Sequence, residues 1–401
     1  MNSKLSLKLT ILSISIFLMS HLAIAPAIPK LYAFYHTQNP HIGLASVESL
    51  VTIPAMMITI FVILSNFVVT KLGKKNTVLL GLCLILISGF ISFFTSNFSL
   101  AMASRLLLGI GIGLYNSLSI SIITDLYEAD ERASMIGLRT ASLNIGKALT
   151  TFIVGLVLAI GVNYIYLVYL LVIPVFFFFW KNVPEVENQT HTLKASTTFD
   201  TKAALLMFIT FLVGIAYIGA TVKIPTLLVT KYHYATSFSS NMLTLLAFSG
   251  ILVGSIFGKL VKVFQEKTLL IMILAMGIGN VLFALANNQI IFIVASILIG
   301  ASFVGTMSSV FFYISKNYAK EHNNFITSLA LTAGNIGVIL TPLILTKLPS
   351  QLHLEPFMTP LILTKLPSQL HLEPFMTPFL ITSGLMVINV FVYLVLMSKN
   401  K

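Results

Sequence analysis

The sequence predicts an all-α membrane protein of about twelve transmembrane helices, arranged as two pseudo-symmetric six-helix bundles. Three observations carry that expectation. Only 9% of the 401 residues are charged and 57% are apolar, whereas a water-soluble domain needs about a quarter of its residues charged to cover its surface. Apolar runs recur along the chain, each near the ~20 residues that cross a bilayer. Residues of the first half also recur in the second at an offset of 191 positions.

Breaking the apolar runs at charges and turn residues places helices at about 8–28, 42–70, 76–95, 100–123, 134–161, 164–181, 202–230, 237–262, 268–286, 289–315, 325–346 and 378–397. The first run resembles a secretory signal, with Lys4 and Lys8 ahead of it and Ala23 and Ala25 near its end. A signal core is only about 7–15 residues, and Leu9 to Ile28 is about 20, so it reads as a retained first span. The longest polar break, Lys181 to Lys202, separates a bundle at 1–181 from one at 202–401, with 182–201 as a linker. Basic residues cluster at one set of helix ends, among them Lys8, Lys71, Lys74, Lys75, Lys181, Lys202, Lys262 and Lys316. The opposite ends carry Lys30, Lys231, Lys347 and Lys365. By the positive-inside rule both termini and the linker are expected in the cytoplasm of a bacterial inner membrane. The formal charge of +12 is thus topological, and no nucleic-acid partner is expected. The single cysteine, Cys83, permits no internal disulfide.

Two repeats are present. At the offset of 191, Gly109 matches Gly300, Ser117 matches Ser308, Tyr127 matches Tyr318 and Lys71 matches Lys262. Asn144-Ile145-Gly146 likewise matches Asn335-Ile336-Gly337. The second repeat is shorter: Thr341 to Met358 recurs unchanged at Thr359 to Met376, an 18-residue tandem duplication (341–376) in the outer loop between helices eleven and twelve. Either Leu343–Leu348 or Leu361–Leu366 closes helix eleven, and the other forms loop or lies at the interface.

Charges inside spans are costly and mark pathways for ions or substrates. Glu48 and Asp125 are the two acids within or at the edge of the spans. Glu48 falls about six residues, or roughly 9 Å, into helix two. Thr52, Thr59 and Asn66 follow it at near-whole turns and give that helix one polar stripe. The alternative is a carboxylate at the outer headgroup level. Arg105 lies at similar depth in helix four, with Glu48 or a backbone carbonyl as its natural partner, or with its head snorkelling to the interface. Gly109, Gly111 and Gly113 below it permit close helix approach, and Asn116 shares its face. Lys147 falls near the midplane of helix five and Lys223 in the outer part of helix seven. Arg139 is expected to pair with Asp125, Glu128 or Glu131. Tyr115, Tyr217, Tyr313, Asn144 and Asn335 can add hydrogen bonds to a substrate, or serve as packing and interface anchors. No Walker A loop, metal-ligand helix or nucleophile elbow is present, so neither an enzyme, nor a cofactor, nor a metal site is expected.

Asn66-Phe-Val-Val-Thr-Lys-Leu-Gly-Lys-Lys75 stands where the major facilitator superfamily carries its loop signature G-x-x-x-D-R-x-G-R-R/K, and Arg105 with Gly109, Gly111 and Gly113 matches its helix-four signature. The chain resembles that superfamily, in particular its twelve-helix drug:proton antiporters, over nearly its whole length. The resemblance implies the superfamily's fold, a gating role for Lys71, Gly73, Lys74 and Lys75, and proton coupling through Arg105. Asn66 and Thr70 replace the signature's first Gly and its Asp, which bears on that gate. In helix five the antiporter pattern G-x-x-x-G-P-x-x-G-G keeps Gly146, but Lys147 occupies the proline position.

The expected protein is a monomeric, proton-coupled exporter of small organic molecules, either drug-like compounds or a metabolite such as a siderophore. Its partners are the small-molecule substrate, protons and the lipid bilayer. Glu48, Arg105 and Asp125 are the proton-coupling candidates. Lys147, Asn116, Asn144, Tyr217, Lys223 and Asn335 are the substrate-binding ones. The alternative is an uptake symporter for a small organic anion, using Lys147 and Lys223.

Overall fold

The computed structural model describes residues 3–127, 129–184, 200–318, 320–351 and 375–398. The centre of the expected linker, most of the second copy of the duplication and the side chain of Asn66 lie outside the described residues. Every regular element among the described residues is helical. Among the described residues eleven single helices are long and apolar enough to cross a membrane, and a bent pair taken as one span makes twelve. In chain order they are α1 (Leu5–Phe17 and Ser20–Gln38), α2 (Leu44–Ser65), α3 (Phe67–Phe94), α4 (Phe98–Ile123), α5 (Leu138–Val157) and α6 (Asn163–Asn182). The second set is α7 (Thr201–Lys231), α8 (Thr236–Phe264), α9 (Lys267–Leu285), α10 (Gln289–Asn317), α11 (Phe325–Ser350) and α12 (Thr377–Ser398). The protein is a multi-pass membrane protein.

The chain folds as two compact units: Met1–Gly43 with Ser49–Leu193, and Leu44–Glu48 with Lys194–Lys401. The first turn of α2 therefore belongs to the second unit. Within the first unit α1 packs on α5, α4 on α2 and α3, and α3 on α6. Within the second, α7 packs on α11, α10 on α8 and α9, and α9 on α12. The two units share one packing scheme.

Glycines explain why the repeat survives at some positions. A Cβ on Gly109 would lie 2.5 Å from the Pro54 carbonyl of α2, and one on Gly300 would lie 1.9 Å from the Leu246 carbonyl of α8. A Cβ on Gly146 would lie 2.1 Å from the Ile16 carbonyl of α1, and one on Gly337 would lie 2.3 Å from the Phe211 carbonyl of α7. The recurring residues are thus the points where backbones touch without an intervening side chain, as lipid-embedded helices require when no hydrophobic drive joins them. Residues two apart point to opposite sides of a helix. Accordingly Gly109 and Gly113 meet α2 while Gly111 meets Gly81 of α3.

Local irregularities follow from particular residues. The chain turns from α2 into α3 near the start of the Phe67–Phe94 stretch, at Gly73, whose φ of 78° lies in the left-handed region and interrupts the helix. α1 is longer than its apolar run and bends by 41°. Its middle tightens to 3-10 turns at Ile14–Phe17, Ser20–Leu22 and Ala25–Ala27, where Pro26 lacks the N–H an α-helix needs. In α7 and α11 the prolines Pro225 and Pro342 stand just before π-helical turns at Leu227–Lys231 and Leu343–Lys347. Leu343–Leu348, in the first copy of the duplication, continues α11.

Replacing Gly300 by Ala forces its Cβ onto a backbone carbonyl and is expected to destabilise the protein by about 1–3 kcal/mol. Gly258→Ala and Gly384→Ala, whose Cβ positions meet nothing within 4 Å, are expected to be neutral or slightly stabilising. Thermal unfolding in detergent separates the two classes.

Candidate functional site

In the first unit the buried charge is Arg105. Its Nε donates to the Leu50 carbonyl of α2 at 2.7 Å, Nη1 to the Tyr169 hydroxyl of α6 at 2.6 Å, and Nη2 to the His21 carbonyl of α1 at 2.6 Å. Tyr169 passes the chain on to the Ser20 carbonyl at 3.1 Å. Around His21 the backbone bonds run to the third residue, as in Ala23 N–H to the Ser20 carbonyl and Ala27 N–H to that of Ile24. The tightened turns of α1 thus present acceptors sideways to α4. Of the two partners expected for Arg105, the backbone carbonyl is the one found.

Arg139 corrects an expectation. It donates from Nε to Ser119 Oγ at 2.8 Å and from Nη2 to Asn116 Oδ1 at 3.0 Å, on the neighbouring α4, and not to Asp125 or Glu131; Glu128 lies outside the described residues. Asn116 is therefore held by an arginine. Asp125 is taken by Lys74, at 2.5 Å. Lys147 is fully buried in α5, and Asn144 donates to the Thr140 carbonyl one turn back. Of the expected gating residues, Lys74 makes the Asp125 pair, Gly73 makes the turn, and Lys71 is exposed.

The second unit holds Glu48, which is 0% exposed. Its Oε1 lies 2.7 Å from Lys223 Nζ of α7. Its Oε2 accepts a short hydrogen bond from the hydroxyl of Thr346, in the π turn of α11. Lys223 also donates to Thr346 Oγ1 at 2.6 Å, which closes a three-membered ring of carboxylate, ammonium and hydroxyl. The prolines that loosen α7 and α11 flank this ring. Tyr217 stacks on Phe303, with ring centroids 3.7 Å apart, and Asn335 is half-buried.

Sequence reasoning missed Thr346, Tyr169, Ser119 and the Asn280–Thr382 pair, which bonds at 2.8 Å inside the second unit. Thr346 carries no periodic signal, because it sits at the end of a span where polar residues are ordinary. Tyr169 stands in the 3-10 stretch Asn163–Leu171, where a 3.6-residue period does not apply. Outside the spans, Tyr318 donates to Asp200 at 2.6 Å. Burial, then the Asp200 carboxylate, push the Tyr318 hydroxyl well above its usual value.

The described residues thus form a polytopic helical membrane protein of two similarly packed units, with charges held inside each. Residues 10–342 match the Major Facilitator Superfamily, and the chain belongs to that family. It is 25% identical over 226 residues to an uncharacterized transporter of Rickettsia bellii (strain RML369-C), covering 53% of this chain and 56% of that protein. A second such transporter, from Rickettsia felis (strain ATCC VR-1525 / URRWXCal2), is 24% identical over 200 residues, covering 47% of this chain and 49% of that protein. The chain thus spans about half the length of the curated relatives it matches. A variant of the nucleoside transporter NupG superposes with a TM-score of 0.77 at 14% identity, covering 97% of this chain and 99% of that one. A bacterial homolog of the human lysosomal transporter Spinster, inward-facing and unoccupied, gives 0.71 at 16% identity, covering 98% and 97%. At these identities the structural likeness is one of fold.

Tyr169→Phe leaves one guanidinium nitrogen of buried Arg105 without its acceptor and is expected to cost about 1–3 kcal/mol in unfolding free energy. Tyr164→Phe, at an exposed ring on the same helix, serves as the control in the same denaturation assay.

Proposed function

We propose that this carrier moves a small organic anion together with protons by alternating access, in the direction of uptake. The observation behind this reading is the ring at Glu48. While Glu48 is ionised it neutralises Lys223, and the buried pair carries no net charge. A proton taken by Glu48 removes that neutralisation and leaves a buried ammonium, which raises affinity for an anion. Proton and anion then bind more tightly together than apart, which is the thermodynamic requirement for symport. Exchange transport would require each to weaken the other. The bacterial cytoplasmic membrane, with both termini inside, is the expected setting, from the distribution of Lys and Arg.

The second reading is proton-driven efflux of drug-like compounds or of a siderophore. It draws support from the resemblance of Arg105, Gly109, Gly111 and Gly113 to the helix-four signature of drug:proton antiporters. Lys147 weakens it, because this cation stands in place of the proline of the antiporters' helix-five pattern.

Right-side-out vesicles carrying the full chain, with an acid exterior, are expected to accumulate labelled benzoate or succinate above equilibrium. Glu48→Gln, a neutral mimic of the protonated acid, is expected to let the label equilibrate at a rate within about tenfold of the parent, with no response to the gradient. Gradient-driven dye accumulation in everted vesicles, lost in Glu48→Gln, would favour efflux instead.

A further inference from the structure

The ring at Glu48 closes on Thr346, and Thr346 stands on the π turn of α11. Pro342 precedes that turn, and the turn's widened bond runs from the Leu348 N–H to the Leu343 carbonyl, five residues back. A loosened backbone leaves the register of its side chains to packing. Of the five residues in the turn, Leu345 is the buried one, at 2% exposure, while Leu343 and Lys347 are exposed. The packing that holds the turn therefore falls on Leu345.

Leu345 seats on α7 at Gly219. A Cβ on Gly219 would lie 2.4 Å from Leu345 Cδ1 and 3.2 Å from Thr382 Cγ2 of α12. The missing side chain is thus a socket, and the tip of the leucine fills it. Gly214, earlier in α7, differs, because its Cβ would meet the Gly334 carbonyl at 2.4 Å. There a glycine admits a neighbouring backbone, whereas at Gly219 it admits a side chain. The far wall of the socket is fixed. The buried Thr382 hydroxyl lies 2.8 Å from Asn280 Oδ1 and 2.9 Å from the Phe379 carbonyl, and Asn280 donates to the Met276 carbonyl at 2.9 Å. Lys223 follows Gly219 by four residues, so the two share a face of α7 on successive turns. α7 accordingly receives two consecutive residues of α11: Leu345 at Gly219, and the Thr346 hydroxyl at 2.6 Å from Lys223 Nζ.

We propose that Gly219 and Leu345 are positioning residues for the ring: the leucine tip in the glycine socket sets the register of the π turn and so aims Thr346 at Glu48 and Lys223. Neither residue brings a polar side-chain group of its own. A methyl added at Gly219 occupies the socket. In an interior packed to crystal density the leucine has no second place to go, so the turn shifts and Thr346 leaves its partners. The inference rests on the transport reading above only for what the ring accomplishes, since the positioning itself is tested without transport.

The test is a double-mutant cycle in thermal unfolding of the purified full chain in nanodiscs. Gly219→Ala and Thr346→Val are each expected to lower the unfolding temperature. Their combination is expected to fall short of the summed shifts by at least about a third, because the first change already costs Thr346 its bonds. Gly214→Ala, a clash on the same helix away from the ring, is expected to add fully to Thr346→Val. Leu345→Val removes the atom in the way, and combined with Gly219→Ala it is expected to recover at least about half of the lost temperature shift, or to restore folding if Gly219→Ala alone does not fold. In right-side-out vesicles Gly219→Ala is expected to reduce the gradient-driven accumulation ratio of labelled benzoate or succinate at least about threefold while the label still equilibrates. That ratio does not depend on how much of the protein folds. Full additivity of Gly219→Ala with Thr346→Val, a Gly219→Ala protein as stable as the parent, or no recovery by Leu345→Val overturns the proposal. A coupled cycle in a parent without gradient-driven uptake leaves the positioning role and removes the symport reading. Gradient-driven uptake with an additive cycle does the reverse.

Discussion

Arg105 is the side chain about which the first unit is organised. A guanidinium in hydrocarbon must have its donors taken, and this one takes its acceptors from α1, α2 and α6 while standing on α4. Four of the six helices of the unit are thus tied through one group. The tie constrains the helices that supply it. A regular α1 would spend its carbonyls on its own ladder, so the 3-10 turns at Ser20–Leu22 and Ala25–Ala27, and the proline within the second, are part of the same arrangement. Removal of the arginine would leave the carbonyls of His21 and Leu50 without this donor in a dry interior, and the Tyr169 hydroxyl with only its bond to Ser20.

The second unit applies the packing scheme of the first with different chemistry. Gly109 and Gly300 make the same backbone contact in their respective units, as do Gly146 and Gly337. The charged pair at the helix ends has changed sign. In the first unit Lys74, beside the α2–α3 turn, pairs with Asp125 at the end of α4. In the second, Glu266 beside the α8–α9 turn pairs at 2.7 Å with Lys316, which stands 191 positions after Asp125. Steric constraints of backbone contact admit only glycine, whereas an ion pair works in either polarity. Duplicated sequence accordingly keeps the first and is free to invert the second.

The same distinction sets what could be read in advance. All twelve spans were legible because a bilayer imposes a length and an apolar composition on any helix that crosses it. The turn at Gly73 was legible as a cluster of Lys71, Lys74 and Lys75 around a glycine. Partner choice was not. Arg139 points to Asn116 and Ser119 on the neighbouring α4 instead of to Asp125 or Glu131, because a buried guanidinium follows spatial proximity, which sequence spacing does not encode. Thr346 was hidden for a related reason. Its position depends on a π turn that shifts the register of α11 after Pro342, and a 3.6-residue period projects the side chain in the wrong direction. Glu48 and Lys223 were each singled out as intramembrane charges, but only coordinates pair them.

Thr346 also bears on how a buried carboxylate changes its protonation state. An ionised carboxylate accepts hydrogen bonds, while a carboxylic acid must also donate one. A ring made only of Glu48 and Lys223 would leave the acid form facing an ammonium that cannot accept. A hydroxyl both donates and accepts. In the ionised state Thr346 donates to Glu48 and accepts from Lys223. Under the proposed symport, a protonated Glu48 would donate to the same hydroxyl, which would turn to accept and leave the ammonium free. Serine would offer the same oxygen, but the β-branch of threonine limits its rotamers and keeps that oxygen aimed inward on a loosened turn. The ring is therefore suited to two charge states with the same three residues, which a permanent structural ion pair does not need.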